Sequence, residues 1–523
     1  MSEATVESAF SEPENHVSSE SETAPARSGN EIILASRYVI HPDVILPHLS
    51  THSAKAYAAI DTEDFSNDLY ALVLDQTIPA RLPAIVNSKN VVHDALIRPV
   101  RWGRFAWRNT GRKEIVIVLP QPSGPPLFPS MEATVQPWLV REIKRDFLTP
   151  ILDLLKRMHD ERVSHRNLRP TNLFRKQDDG TLQSGQIYSA PPGFDQPTIF
   201  EPIERARCIP TGRGIGDMAD DMFAIGATIL LLTLGRNPVA GIDEKELLQR
   251  RIELGSFNAI LGGNKLPAEI APVVRSLMRD DAHERWTHAD LMNWVTSGRV
   301  NPSQPIPGIR ADRPFEFNGI QAYTPTEVAQ ALLSDWGKAV VRAATNDIAH
   351  WAERSLKDRA LASALAESST LESNGPKQMT PDILLSRTLI VLDPTGPICM
   401  RGMRVIPDGF GTAVVSAVRD PALAKAYSDI ILGKVMGFWH EQQVRPKTWM
   451  LTASEVAEKA SVYLAQTGTG FSIERCAYEL NPSLSCLSPL VKGKVAIQSR
   501  DMIEIMEERA GDGELLFDRH ILG

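Results

Sequence analysis

The densest collection of groups that could do chemistry is the stretch His165-Arg166-Asn167-Leu168-Arg169-Pro170-Thr171-Asn172. It holds an imidazole, two guanidiniums and two carboxamides, but no carboxylate. Chemistry at a substrate hydroxyl needs a base, and a positioned general base typically contributes ~10²- to 10⁴-fold. The amide of Asn167 has no useful basicity. Further on, Ser184-Gly185-Gln186-Ile187-Tyr188 brings another neutral amide, Gln186. An amide oxygen is a poor substitute for a carboxylate on a hard divalent cation. Asp179, Asp195 and Asp217 could be displaced metal ligands, but each reads better as a solvated loop charge. The four cysteines, Cys208, Cys399, Cys476 and Cys486, form no CxxC pair and have no His at zinc-ligand spacing. Buried or idle thiols are therefore expected.

Several elements must position these groups. Arg141 to Glu161 predicts a helix with Ile143, Phe147, Ile151, Leu154, Leu155 and Met158 on one face, interrupted by Pro150. Before it, Ala56–Ile60, Leu69–Leu74 and Ile115–Leu119 are short β-rich runs separated by turn residues. A Pro/Gly hinge at Pro120–Pro126 divides the two patterns. The apolar run Met222–Leu234 is too short for a bilayer, which takes ~20 helical residues, and predicts a buried helix. Farther along, Thr324-Pro325-Thr326-Glu327 has the form of a capping box. Val328, Leu332, Trp336 and Val340 then recur every fourth residue, as on one side of a helix, and Trp336 and Trp351 read as core anchors. Helical periodicity returns at Leu423–Phe438, Ala453–Leu464 and Met502–Arg509, and no internal repeat is found.

The stretch from His165 to Asn172 resembles the catalytic loop of protein kinases, H-R-D-L-x-x-x-N, position for position except at Asn167. Ala219-Asp220-Asp221-Met222-Phe223 resembles the start of the family's buried F helix. That resemblance gives Asp221 a hydrogen bond to the catalytic-loop backbone. Leu277 to Trp286 resembles the family's last characteristic element, and Arg285 is then expected to pair with a Glu closing the activation segment, for which Glu204 is the candidate. The matches come in the family's order, and the resemblance covers about residues 31 to 300. It implies a small β-rich lobe and a large helical lobe.

The departures fall at the functional places. Phosphoryl transfer is mostly positioning and electrostatics. Asn167 replaces the base, and Gln186 stands where the Asp of D-F-G would hold Mg²⁺. Asn172, the other metal-side residue, is retained. Leu46 to Lys55, where a phosphate-cradling loop belongs, has no glycine, and Tyr70-Ala71-Leu72-Val73-Leu74 lacks the strand lysine. Lys55 or Lys89 would have to reach in from elsewhere, and no C-helix Glu is identified. In the family the His of this motif is a packing residue and the Arg serves regulation. Without a base beside it, Arg166 reads as a structural pair rather than a phosphate sensor. The Pro-rich Pro191–Pro197 suits a fixed surface.

The chain of 523 residues carries a formal charge of -8, which gives no support to nucleic-acid binding. The start of the chain has no basic region followed by an apolar stretch, so no secretory signal is read and a cytoplasmic location is expected. The expected architecture is α+β. A polar, disordered tail (1–30) precedes a kinase-like small lobe (31–124) and large lobe (125–300). A Pro-rich linker (301–313) then leads to a mainly helical C-terminal domain (314–523) of unknown role, with a polar loop at Glu367–Thr380. The chain reads as a degenerate, bacterial-type pseudokinase of the Ser/Thr kinase fold, acting as a signalling scaffold or regulator through a protein partner. No metal site and no cofactor are assigned; ATP and Mg²⁺ are what the resemblance implies and the losses argue against. The alternatives are a kinase or other transferase with a rearranged site, and an ATP-binding switch without turnover.

Overall fold

The computed structural model describes residues 31–522, apart from 66–67, 108–111, 300–308, 369–378 and 510–516 and positions 419, 467, 469, 483, 492–493 and 495. The tail 1–30, most of the expected linker and most of the polar loop after Glu367 lie outside the described residues. The chain is a mixed α/β protein, 48% helical and 13% strand, so helices do most of the covering of a mostly antiparallel sheet.

That sheet has six strands in the order β1-β2-β3-β4-β6-β5: β1 Ile32–Leu34, β2 Tyr38–Ile45, β3 Ala54–Asp61, β4 Leu69–Leu74, β5 Arg101–Trp107 and β6 Arg112–Pro120. The three β-rich runs read from the sequence all fall within strands. β4 and β6 pair antiparallel, with Leu69 opposite Pro120 and Val73 opposite Val116. Successive side chains of a strand point to opposite faces. Tyr70, Leu72, Leu74, Ile115, Ile117 and Leu119 join the large core shared with the helices. Leu69, Ala71, Val116 and Val118 pack outward against Ile32, Leu34, Ile40 and Trp107. Covering on both faces explains why these strands read as unbroken apolar runs.

Between β4 and β5 lies a short helix, α1 (Leu82–Asn87). The expected helix over 141–161 forms, and all six residues of its apolar face are fully buried. It begins as a single turn (Val140–Glu142), widens into a π-helical stretch (Ile143–Leu148) and resumes as α2 (Thr149–Asp160). The widened stretch ends two residues before Pro150, which has no amide hydrogen to donate and so relaxes the normal ladder. The run Met222–Leu234 lies in a helix, Met218–Leu234, in which every residue from Met222 to Leu232 is buried. Its chain exits through Gly235 at φ 65°, a left-handed cap that favours glycine. Among the described residues no helix is long and apolar enough to cross a membrane.

Two expected helices are each split. Val328 and Leu332 lie on Pro325–Leu332, but Trp336 and Val340 lie on Trp336–Ala343, because Asp335 turns out of helix and caps the second segment. Likewise Leu423–Phe438 breaks at Lys434 (φ 51°) into Pro421–Leu432 and Val435–Glu441. Thr324 does accept from the Glu327 amide, while the Glu327 carboxylate reaches one residue further back, to the Tyr323 amide at 2.7 Å. Trp351 is buried; Trp336 is half-buried and donates its Nε1–H to Asp382 at 2.7 Å. The C-terminal part also contains two hairpins, Phe315–Phe317 with Ile320–Ala322 and Ile398–Met400 with Met403–Val405.

Candidate functional site

The loop 164–172 is fixed from below by Asp221, in the first turn of the buried helix Met218–Leu234. Its Oδ2 accepts the His165 amide at 2.9 Å and its Oδ1 the Arg166 amide at 2.8 Å. His159 Nε2 lies 2.9 Å from the same carboxylate. Burial alone would raise the Asp221 carboxyl, but the hydrogen bond and charge of His159, with His165 and the Arg166 amide, outweigh it and hold the group below its ordinary value. The two amides point at one carboxylate because Arg166 adopts a left-handed backbone, φ 56°, which costs energy for a residue with a side chain. The Arg166 guanidinium meets Glu201 at 2.7 Å, with both side chains fully buried. Burial pushes the Glu201 carboxyl up, against the charges of Arg166 and Arg213. Arg166 thus stands in a buried ion pair, out of reach of solvent.

His165 is equally enclosed. Its Nδ1 accepts the Asn167 amide at 3.2 Å, so the proton belongs on Nε2, which lies 2.6 Å from Ser184 Oγ. Burial, with Arg81 and Arg169 nearby, pushes its pKa down to about 4 despite Asp221, and the ring is neutral at pH 7. Asn167 donates to the Gln186 carbonyl at 3.0 Å and accepts from Arg169 through its Oδ1. Asn172 donates to the carbonyls of Asn167 (3.0 Å) and Gln186 (3.3 Å). Gln186 folds over its own turn, accepting the amides of Tyr188 and Ser189 and donating to Ser189 Oγ. Asn167 and Asn172 tie the loop to the Gln186 backbone, and the Gln186 side chain closes its own turn. Among the described residues no group of three or more His, Cys, Asp and Glu side chains stands where it could hold a metal ion.

The sheet closes over this loop. At the β2–β3 connection Ser53, fully buried, donates to Asp195 Oδ2 at 2.9 Å and lies 3.1 Å from Ser189 Oγ. Arg81, at the entry to α1, sends its guanidinium to the carbonyls of Ser164 (2.5 Å), His165 (3.1 Å) and Ile187 (3.2 Å) and to Ser164 Oγ (3.1 Å). Burial pushes its pKa down to about 10. Tyr188 Oη donates to the Ile97 carbonyl and the Ser184 amide to the Ala95 carbonyl. The space left among Arg81, His165, Asn167, Gln186, Ser189 and Asp195 is about 10 Å³. Ligand pockets are usually ~300–1,000 Å³. A larger hollow of about 740 Å³ lies between residues 51–55, 73–77, Glu114 and the residues Cys486–Pro489, Val491 and Lys494, and none of its lining comes from 165 to 195.

Other expected residues fall as follows. Arg285 meets Glu204 at 3.8 Å, a long ion pair, and is held mainly by the carbonyls of Ala219 (2.8 Å) and Arg279 (2.9 Å). Burial pushes Glu204 up to about 7, against the charge of Arg285. Asp179 is an exposed turn residue bonded to Thr181. Asp217 caps the helix Met218–Leu234 and pairs with Lys447. Asp195 is not a solvated loop charge: its side chain is 7% exposed because Ser53 and the β2–β3 connection cover it. Lys55 and Lys89 are both exposed, and neither lines the space beside this loop. Sequence reasoning missed Arg81, Ser53, Ser189 and Glu201. Arg81 stands 84 residues before His165 and Ser53 142 residues before Asp195, and nothing in their neighbours' types signals the contacts. Searched against models of protein families and against curated proteins, the chain matches none.

Proposed function

We propose that the chain is a kinase-like protein whose nucleotide cleft is built shut, and that it works through protein contacts rather than phosphoryl transfer. One observation supports the reading: the space among Arg81, His165, Asn167, Gln186, Ser189 and Asp195, beside the loop that the resemblance would set against a nucleotide, is taken up by the protein's own hydrogen bonds, leaving about 10 Å³. Arg81 and the Ser53–Asp195 pair cross that place from the sheet side. The two-lobed arrangement is supported by the order of elements: the antiparallel strands β1 to β4, the short helix α1, the two further strands β5 and β6, and then helices. It is supported again by Asp221, which holds the loop backbone as the resemblance implies.

The chemistry agrees. Asn167 and Gln186 have no basicity to offer, and their amides are engaged internally. His165 is neutral, buried and bonded at both ring nitrogens. What is retained is structural. Thermal unfolding with and without millimolar ATP and Mg²⁺ tests the reading. A ligand at 100 times its Kd stabilises the folded state by about 2.7 kcal/mol. An unchanged melting temperature is expected; a Mg²⁺-dependent rise would instead favour a transferase or a nucleotide-binding switch.

A further inference from the structure

Asp408 lies in the turn Pro407-Asp408-Gly409, between the strand Met403–Val405 and the helix Phe410–Ala417. Its carboxylate reaches back to the segment just before the buried helix. Arg205 Nη1 donates to its Oδ1 at 3.2 Å and its Oδ2 at 3.3 Å, and the Gly216 amide donates to Oδ2 at 3.0 Å. Arg205 also holds Asp220 at 3.0 Å, so one guanidinium ties the C-terminal part to the base of the loop. Nearby, Arg207 pairs with Asp393. The side chains of both cross-chain pairs are less than a tenth exposed.

The backbones join as well. The Ile209 amide donates to the Arg404 carbonyl at 3.1 Å, and the Ile406 amide donates to the Gly212 carbonyl at 3.0 Å. The approach is too close for side chains. A Cβ on Gly409 would lie 2.5 Å from the Gly212 oxygen, and one on Gly212 would lie 2.9 Å from the Arg404 oxygen. Such a face is not made to stand open. Uncovered, Arg205 and Arg207 would each lose a carboxylate partner, and glycines would border solvent for no reason. Buried charges persist where they are paired and hydrogen-bonded.

We propose that residues 393–416 are the built-in occupant of the 203–217 face, which therefore takes no separate peptide or protein partner. The two parts then form one cooperative unit, and any partner engages another surface. This inference stands whether or not the cleft binds nucleotide, so the two can fail separately.

Hydrogen exchange on the full chain tests it. The amides of Ile209, Ile406 and Gly216 are expected to be protected as strongly as those of the buried helix Met218–Leu234; rapid exchange at these three with the helix protected would overturn the proposal. A second test places a protease site within 300–308 of the full chain. After cleavage the fragments are expected to co-elute on gel filtration and unfold in one transition, and their separation would contradict the proposal. In Asp408→Ala, exchange at the three amides should quicken by about tenfold or more. Should that variant fail to fold, Asp408→Asn keeps the shape and removes the charge facing Arg205. Unaltered exchange in whichever variant folds counts against the idea.

Discussion

Arg81 places its guanidinium 3.1 Å from the carbonyl of His165, although the two residues are 84 apart in sequence and belong to different parts of the fold. The same group holds the carbonyls of Ser164 and Ile187. An arginine from the sheet side therefore satisfies backbone carbonyls of the loop that carries His165, Asn167 and Asn172 and of Ile187 beside it. Removing it should expose the role directly. Arg81→Ala leaves three buried carbonyls without this donor and should cost about 2–4 kcal/mol in denaturant unfolding. A change below about 0.5 kcal/mol, the size of ordinary surface substitutions, would refute this role.

Asp221 fixes the loop from the other side, so its loss should be felt at the loop amides. Asp221→Ala strands two backbone donors and His159 and should destabilise by roughly 3–5 kcal/mol, as breaking a buried charged network does. Asp221→Asn keeps one acceptor and should cost less. Equal costs for the two variants would mean that the carboxylate charge and its second oxygen matter little.

His165 gives the stability a pH dependence of definite sign. Burial lowers its folded pKa to about 4, below the unfolded value of about 6.5. Between these values the unfolded chain binds the proton and the folded one does not, so stability falls on acidification from pH 6.5 to 4. In His165→Asn this contribution is gone. The stability difference between wild type and variant should therefore shrink as pH falls through that window. A difference that stays constant would show that the ring is not buried neutral.

Glu204 works in the opposite direction. Burial raises its folded pKa to about 7, above the unfolded value of about 4.3. In that window the folded state binds the extra proton, so this group's contribution declines as pH rises from about 4.3 to 7. Glu204→Gln removes the decline. Its stability relative to wild type should rise between pH 5 and pH 8, and a flat or falling relative stability would exclude a raised carboxyl.

Much of this was legible in local pattern. The strands β4 and β6 and the buried helix announce themselves by composition, and Asp221 by its motif. What was not legible depends on contacts distant in sequence. Nothing beside Arg81 distinguishes it from a surface arginine, and Asp195 looks solvated until Ser53 is placed over it. The splits at Asp335 and Lys434 defeat periodicity because the apolar spacing of the sequence runs on across each break. The hairpin at Asn318-Gly319 was not read from the sequence, although Asn-Gly favours a tight turn and both residues take positive φ (50° and 80°). Its strands are only three residues each, too short to stand out beside the helices that follow.

The central claim is that the cleft is closed by its own side chains and does not merely lack acids. Adding acids separates the two ideas: Asn167→Asp with Gln186→Asp places carboxylates where the resemblance implies a base and a metal ligand, without removing Arg81 or Ser53. Titration calorimetry of this double variant with ATP and Mg²⁺ is the most direct measurement. The account predicts no saturable binding at millimolar nucleotide, for the variant as for the wild type. Saturable, Mg²⁺-dependent binding to the double variant would contradict it, because the space would then be available and only the charges missing.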